Sequence, residues 1–216
     1  MSSASTKAAI ADAAAREFKV KGYSGASMSS IADRLGLTKG ALVYHFRAKA
    51  DFISYFTDVV RGTTANVIEQ ARQKYPEDGA RRVLFYTLLL SEHMKNCPQF
   101  DGGIALFLDS ATPEMQSGDL AEQWMNFSVE AFEQCASQGR LREGVTPLEA
   151  AELLMINHLG TAYFGRLVHY EDPETASIRF VREALRASGI LNVDKIAAEV
   201  VEDYRKSGSE LECFTV

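Results

Sequence analysis

Apolar residues recur along this chain at intervals of three and four, and no run of four to eight residues alternates strictly enough to make a strand. At about 100° per residue that spacing gathers side chains onto one face of a helix, so the chain is read as all-α. Ile10, Ala14 and Phe18 mark a first helix over about 5–21, closed by Gly22. Ser27 offers an N-cap to a short second helix whose inner stripe is Met28, Ile31, Ala32 and Leu35. A break at Gly36 and Leu37 follows, and Thr38 caps a third helix in which Leu42 and Phe46 point inward. A longer helix over about 48–73, with Phe52, Phe56, Val59, Val60 and Val67 along one side, joins a small N-terminal domain to a larger one. Further helices are expected near 79–95, 102–109, 118–137, 148–168, 173–187 and 194–206. Pro76, Pro98, Pro113, Pro147 and Pro173 fall between or at the start of these segments, where a missing N–H does least harm. The expected organisation is a small helical domain over 1–50, a larger helical domain over 51–206 and a loose tail over 207–216.

A chain of 216 residues, 46% of them apolar, can bury a core of this kind. No stretch approaches the roughly 20 continuous apolar residues of a membrane span, and the first residues lack the apolar run of a signal peptide. A soluble, cytoplasmic protein with no membrane partner is therefore expected. Cys97, Cys135 and Cys213 are odd in number and far apart, which argues for free thiols against both a disulfide framework and a four-thiolate zinc site. No cofactor and no metal are expected.

The net charge of −6 conceals an asymmetry. Residues 1–50 carry eight basic and three acidic side chains, a balance of +5, which leaves −11 for the rest. A polyanion is attracted to the first fifty residues and repelled by the others, so any contact with DNA belongs at one end.

Residues 27–46, SMSSIADRLGLTKGALVYHF, have the helix, tight turn and helix of a helix-turn-helix reader. With Leu42 and Phe46 inside, Thr38, Lys39, Gly40, Val43, Tyr44 and His45 are left to meet a partner. Lys39 supplies a charge or a guanine contact, Gly40 admits the backbone to the major groove, and Val43 suits a thymine methyl. Tyr44 and His45 offer hydrogen bonds to phosphate oxygens. Arg47 and Lys7 extend the clamp, Ser27 is counted among the DNA contacts, and Lys49 with the N–H groups opening the fourth helix makes a further anion site.

These residues resemble the TetR family of bacterial regulators. Ile31, Ala32, Gly36, Thr38-Lys39-Gly40, Leu42, Tyr44-His45-Phe46 and Lys49 stand where that family's pattern expects them, as do Phe18 and the Gly22-Tyr23 pair of the first helix. Val43 departs from it: the family usually has tyrosine there, so that contact is not carried over. The resemblance covers about the first 60 residues in motif and the remainder only in length and helix order. It implies a homodimer on a palindromic double-stranded operator, acting as a repressor released by a small molecule, with activation the alternative.

The larger domain bears on both expectations. Residues 148–168 are apolar almost all round, with small Gly160, Ala162 and Gly165 among them, and Ile178, Val181 and Leu185 give 173–187 a stripe of its own. The resemblance implies that these two helices from each subunit form the dimer interface, which sets the two readers about 34 Å apart. Phe85, Tyr86, His93, Phe107, Trp124, Phe127, Asn157 and His158 combine large apolar surface with a few polar groups, the mixture expected of a pocket for a partly hydrophobic inducer. The same residues also read as ordinary core. An enzyme is the rival from another class: His93 and Cys97 lie four apart on one helix, a spacing that suits a metal or an activated thiol. No nucleophile elbow, phosphate loop or HExxH accompanies them, so no catalytic residue is assigned.

Overall fold

The computed structural model describes residues 3–116, 119–168, 173–207, 213, 214 and 216. Among these residues the chain is helical: α1 (Ser3–Gly25), α2 (Met28–Arg34), α3 (Lys39–His45), α4 (Asp51–Lys74), α5 (Gly79–Asn96), α6 (Pro98–Phe107), a 3-10 turn (Pro113–Gln116), α7 (Asp119–Ser137), α8 (Pro147–Leu167), α9 (Pro173–Ala187) and α10 (Val193–Ser207). One isolated antiparallel bridge pairs Leu141 with Ile190. The all-α reading holds. Gly22 interrupts α1 with φ 67°, after which the chain makes one more helical turn. α6 begins earlier than its apolar pattern indicated, because Pro98 opens its first turn, where its lack of an N–H costs nothing.

The chain divides into two compact units. One comprises residues 1–64, 93–117 and 212–216, the other 65–92 and 118–211.

In the first unit α6 lies close against both α1 and α4 through adjacent glycines. A Cβ on Gly102 would come within 2.6 Å of the Ala15 Cα, and one on Gly103 within 2.5 Å of Val60 Cγ2. Around this junction Phe18, Phe46, Phe52, Tyr55 and Phe56 form a buried aromatic cluster, with Phe46 and Phe52 stacked at 4.1 Å and Phe18 edge-on to Phe52 at 5.7 Å. Glu17 of α1 is buried beside it. Its Oε2 accepts from Arg34 Nε at 2.5 Å and its Oε1 lies 2.6 Å from Lys21 Nζ, which fastens the end of α2 to α1. Burial pushes this carboxyl up, but hydrogen bonds from Lys21, Arg34 and Ser30 outweigh it and hold it at about 2.

The expectation of three free thiols is corrected here. Cys97, which precedes α6, is bonded to Cys213 with their Cα atoms 5.7 Å apart; Cys135 alone is a free thiol, and it is buried. Sequence spacing carried no sign of this pair, because 116 residues separate two positions that folding brings within bridging distance. Of the segment read as a loose tail, residues 208–212 and 215 lie outside the described residues, while Cys213 is covalently held.

The second unit is built on Val67, Leu84, Leu88, Phe127, Phe132, Leu154, Val181, Leu185, Ile196 and Val200. The buried Arg82 guanidinium is fully engaged, donating to the carbonyls of Tyr75 and Pro76, to Glu130 Oε1 at 2.8 Å and to Gln134 Oε1 at 2.9 Å. A capping box at Thr146 and Glu149 starts α8. Val181 and Leu185 are spent in this core, so the α9 stripe read as an interface faces inward. The outward apolar surface is on α8, where Ile156 is 67% exposed and Phe164 57%, with Leu153 and Tyr163 also exposed on the same helix.

Two outcomes follow from this packing. Gly102→Ala removes a flexible residue from a helix, a gain of up to about 1 kcal/mol in an open position. Here the new methyl meets the α1 backbone, so thermal or urea unfolding should show a net loss of about 1–3 kcal/mol. Gly40→Ala, whose Cβ would come no nearer than 3.9 Å to its closest neighbour, should show no such loss. For Glu17 the folded value lies below the ordinary 4.5, so its contribution is complete above that pH and disappears as pH falls toward 2. Glu17→Gln should flatten the dependence of stability on pH across that window, measured by denaturation at a series of acidic pH values.

Candidate nucleic-acid interface

The helix-turn-helix is set by local chemistry at each joint. Ser27 accepts the Ser30 N–H at 3.0 Å and Ser30 Oγ returns the bond to the Ser27 N–H, a reciprocal cap that starts α2. Gly36 takes φ 64°, the left-handed conformation that the turn requires and that a side chain would strain. Thr38 Oγ1 then accepts the Ala41 N–H at 3.2 Å and starts α3. Leu42 is fully buried and Phe46 nearly so, as their positions in the sequence indicated.

The remaining faces of α3 look outward. Tyr44 is 81% exposed, and Thr38, Lys39, Gly40, Val43 and Arg47 are exposed with it. His45 is half-buried, its ring edge-on to Tyr44 at 5.1 Å. Space at Gly40 is open, so a partner's surface can approach the α3 backbone there. Ser27 is exposed, with its hydroxyl committed to the cap. Lys49 is placed differently from its reading as a phosphate ligand. Its ammonium donates to the Tyr23 carbonyl at 2.8 Å and the Ala26 carbonyl at 3.1 Å and stands over the Tyr23 ring at 4.3 Å, so it ties the α1–α2 connection to the start of α4. The N–H of Ala48, just before α4, is taken by Asp51 Oδ2. An anion arriving there meets a carboxylate already in place. Lys39, Gly40, Val43 and Tyr44 thus form an outward surface with exposed Thr38 at its start, while the hydroxyls of Ser27 and Thr38 and the ammonium of Lys49 first serve the fold.

The eight residues read as a ligand pocket divide between the units. In the second, the Tyr86 ring lies 4.7 Å from Phe127 and 6.2 Å from His158, whose Nε2 is 3.0 Å from Thr87 Oγ1. Burial lowers the His158 imidazole to about 4, so it is neutral near pH 7, and burial likewise raises the Tyr86 hydroxyl. Asn157, next in the chain, has a buried Oδ1 with no hydrogen-bond donor, and Trp124 is buried on α7. Phe85, on another side of α5, faces Tyr75 and Tyr204. His93 and Phe107 belong to the first unit, where His93 packs against Phe100 and its Nδ1 lies 3.5 Å from Cys97 Sγ. The activated-thiol reading of His93 and Cys97 meets a sulfur already bonded to Cys213. Among the described residues no group of three His, Cys, Asp or Glu side chains is placed to hold a metal, and no helix is long and apolar enough to cross a membrane.

Sequence reasoning missed Tyr55, Gln99 and Asp12, which form a hydrogen-bonded chain from α4 through α6 to α1 with Tyr55 donating to Gln99 Oε1 at 2.8 Å and Gln99 Nε2 to Asp12 Oδ1 at 2.9 Å. Polar residues 44 and 87 positions apart carry no local pattern that could have joined them.

Residues 10–55, which span the reader and the helices that seat it, match the family model described as bacterial regulatory proteins, tetR family. The chain is 27% identical over 140 residues to the HTH-type transcriptional regulator AcrR of Shigella flexneri, covering 58% of this chain and 65% of that protein. The match therefore spans just under two thirds of that relative's length. In fold the chain is similar to a crystal structure of an ArpA-like gamma-butyrolactone receptor, with TM-score 0.74, 18% identity and coverage of 93% of this chain and 98% of that one. It is similar also to SmeT, the repressor of the Stenotrophomonas maltophilia multidrug efflux pump SmeDEF, with TM-score 0.66, 19% identity and coverage of 87% and 92%. At these identities the two structures speak for the fold: a helix-turn-helix followed by a larger helical domain. The N-terminal domain, residues 10–55, is that of the TetR family of bacterial regulatory proteins.

Proposed function

We propose that this protein is a DNA-binding transcriptional repressor that leaves a palindromic operator when a small molecule occupies its larger helical unit. The observation that carries the reading is the outward face of α3. Lys39, Val43 and Tyr44 stand exposed on a helix that has no role in the core beyond Leu42 and Phe46. A charge, an apolar contact and a hydroxyl on one short helix are the groups that read and position a major groove. The basic balance of residues 1–50 places the attraction at the same end.

Dimerisation is supported by α8. Ile156, Leu153, Tyr163 and Phe164 are exposed, and a Cβ on Gly160 would meet nothing within 4 Å. A surface of this kind on a soluble helix asks for a partner, and a second copy presents the same stripe about a two-fold axis. Two readers on one duplex then match the symmetry of a palindrome.

For the ligand, the second unit offers Tyr86, Phe127 and Trp124 as apolar surface, with neutral His158 and the unpaired Asn157 Oδ1 as polar points. A buried acceptor without a donor is a standing cost that a hydroxyl or N–H of a ligand would relieve. Phe85, His93 and Phe107 lie with other neighbours and drop out of this set. SmeT has been solved in complex with triclosan, and the ArpA-like relative is named a gamma-butyrolactone receptor, so proteins of this fold accept small, partly hydrophobic molecules. A ligand that binds tenfold better to a state with the readers out of register contributes about 1.4 kcal/mol toward release.

Selection of bound fragments from random DNA tests the reading and should return an inverted repeat. Against the selected fragment, Tyr44→Ala and Lys39→Ala should each weaken binding by about tenfold or more while sedimentation still reports a dimer, and Lys39→Ala should lower the slope of log affinity against log salt by about one. Normal binding by both variants would remove α3 as the reader. Ile156→Asp should yield a monomer by sedimentation with an unchanged helical spectrum and little operator affinity; a dimer that persists would move the interface off α8.

A further inference from the structure

The last residues of the chain have no part in this reading, yet within the first unit they are held at two points. Cys213 is bonded to Cys97 at the entrance of α6. The ring of Phe214 fills the space over Gly62 of α4, where any Cβ would lie 2.4 Å from a ring carbon. α4 and α6 are joined in turn by the Tyr55 hydroxyl, which donates to Gln99, and Gln99 leads on to Asp12 of α1. One short segment therefore ties α4 to the entrance of α6, which itself packs on α1.

The surroundings of the two sulfurs differ in a way that gives each a task. Cys213 is exposed, open to a soluble oxidant. Cys97 is buried, with the buried His93 imidazole 3.5 Å from its sulfur. The third cysteine contrasts with both: burial pushes the Cys135 thiol up to about 11, which keeps it protonated and unreactive.

We propose that Cys97 and Cys213 form a reversible thiol–disulfide switch, closed by a peroxide, that sets how firmly the C-terminal segment braces α4 and the reader. In the reduced form the exposed Cys213 sulfur attacks the peroxide; the O–O bond breaks, the sulfur becomes a sulfenic acid and water leaves. Cys97 passes its proton to His93, and its thiolate attacks the Cys213 sulfur. The S–O bond breaks as the S–S bond forms, and the departing hydroxide takes the proton back from the imidazolium. Two thiols and one hydrogen peroxide become one disulfide and two waters, and an added dithiol reverses the change. With the bond closed, α4 has less freedom against α6 and α1, so the reader gives up less on docking. The effect on operator binding rests on the regulator reading; the sulfur chemistry does not.

The experiment uses the full chain, reduced with dithiothreitol and desalted, then exposed to hydrogen peroxide, denatured in an alkylating agent and weighed. Three adducts are expected before peroxide, and one, on Cys135, after it. Cys213→Ser should carry two adducts under both conditions, and His93→Asn should slow closure by about tenfold or more. In parallel, the oxidised protein should bind the selected DNA fragment roughly threefold or more tightly than the reduced protein, with Cys213→Ser unmoved by peroxide. Three adducts after peroxide would overturn the redox pair, and equal or weaker binding by the oxidised form would overturn the brace. If no form binds DNA, the regulator reading fails while the adduct count still decides the sulfur chemistry.

Discussion

A helix of seven residues has no stability of its own in water, because the cost of nucleating its first turn is not recovered over so short a length. α3 is held because Leu42 is fully buried and Phe46, at its C-cap, stacks on Phe52 in the aromatic cluster of Phe18, Phe52 and Phe56. That one anchorage decides the rest of the site. It consumes the inner side of α3 in packing and leaves Lys39, Val43 and Tyr44 exposed, Tyr44 most of all. The cluster in turn depends on α6 approaching α1 and α4 closely enough for helix backbones to touch, which Gly102 and Gly103 permit.

Charge follows the same division of labour. Glu17 is buried at the hinge between α1 and α2, and the cations that neutralise it, Lys21 and Arg34, are drawn from the basic end of the chain. Lys49 is spent on backbone carbonyls beside Tyr23. The +5 of the first fifty residues is therefore not all available to a polyanion: part of it builds the scaffold, and Lys39 and Arg47 remain at the outer surface of the reader. Long-range attraction still feels the sum, since the field of partly buried charges extends beyond the surface, whereas contact is made by the exposed few.

The second unit combines a well-packed core with a few polar groups that the core does not satisfy. Arg82 has a partner for each direction of its guanidinium, and His158, held neutral by burial, has Thr87 Oγ1, while Asn157 Oδ1 has none. The unmet acceptor of Asn157 is a local cost, and such costs gather where a protein must accommodate something else.

The helices, their caps and the inward residues of the reader were legible in the sequence, because each depends on neighbours within four positions. Ser27 and Thr38 cap, Gly36 turns, and Leu42 and Phe46 face inward by the period of the helix alone. Contacts across longer separations were not legible. Ile178, Val181 and Leu185 read as a stripe for another subunit, and only the packed fold directed Val181 and Leu185 into their own core and left Ile156 of α8 outside. His93 and Cys97 could be paired from their spacing of four, but Cys97 read as a free thiol until folding brought Cys213 to it. Local sequence determined which helices form and which side each helix would bury, because hydrogen bonds and periodicity act within a few residues. What each buried side meets was decided by the tertiary structure alone, since that depends on how segments far apart in the chain fill one another's space.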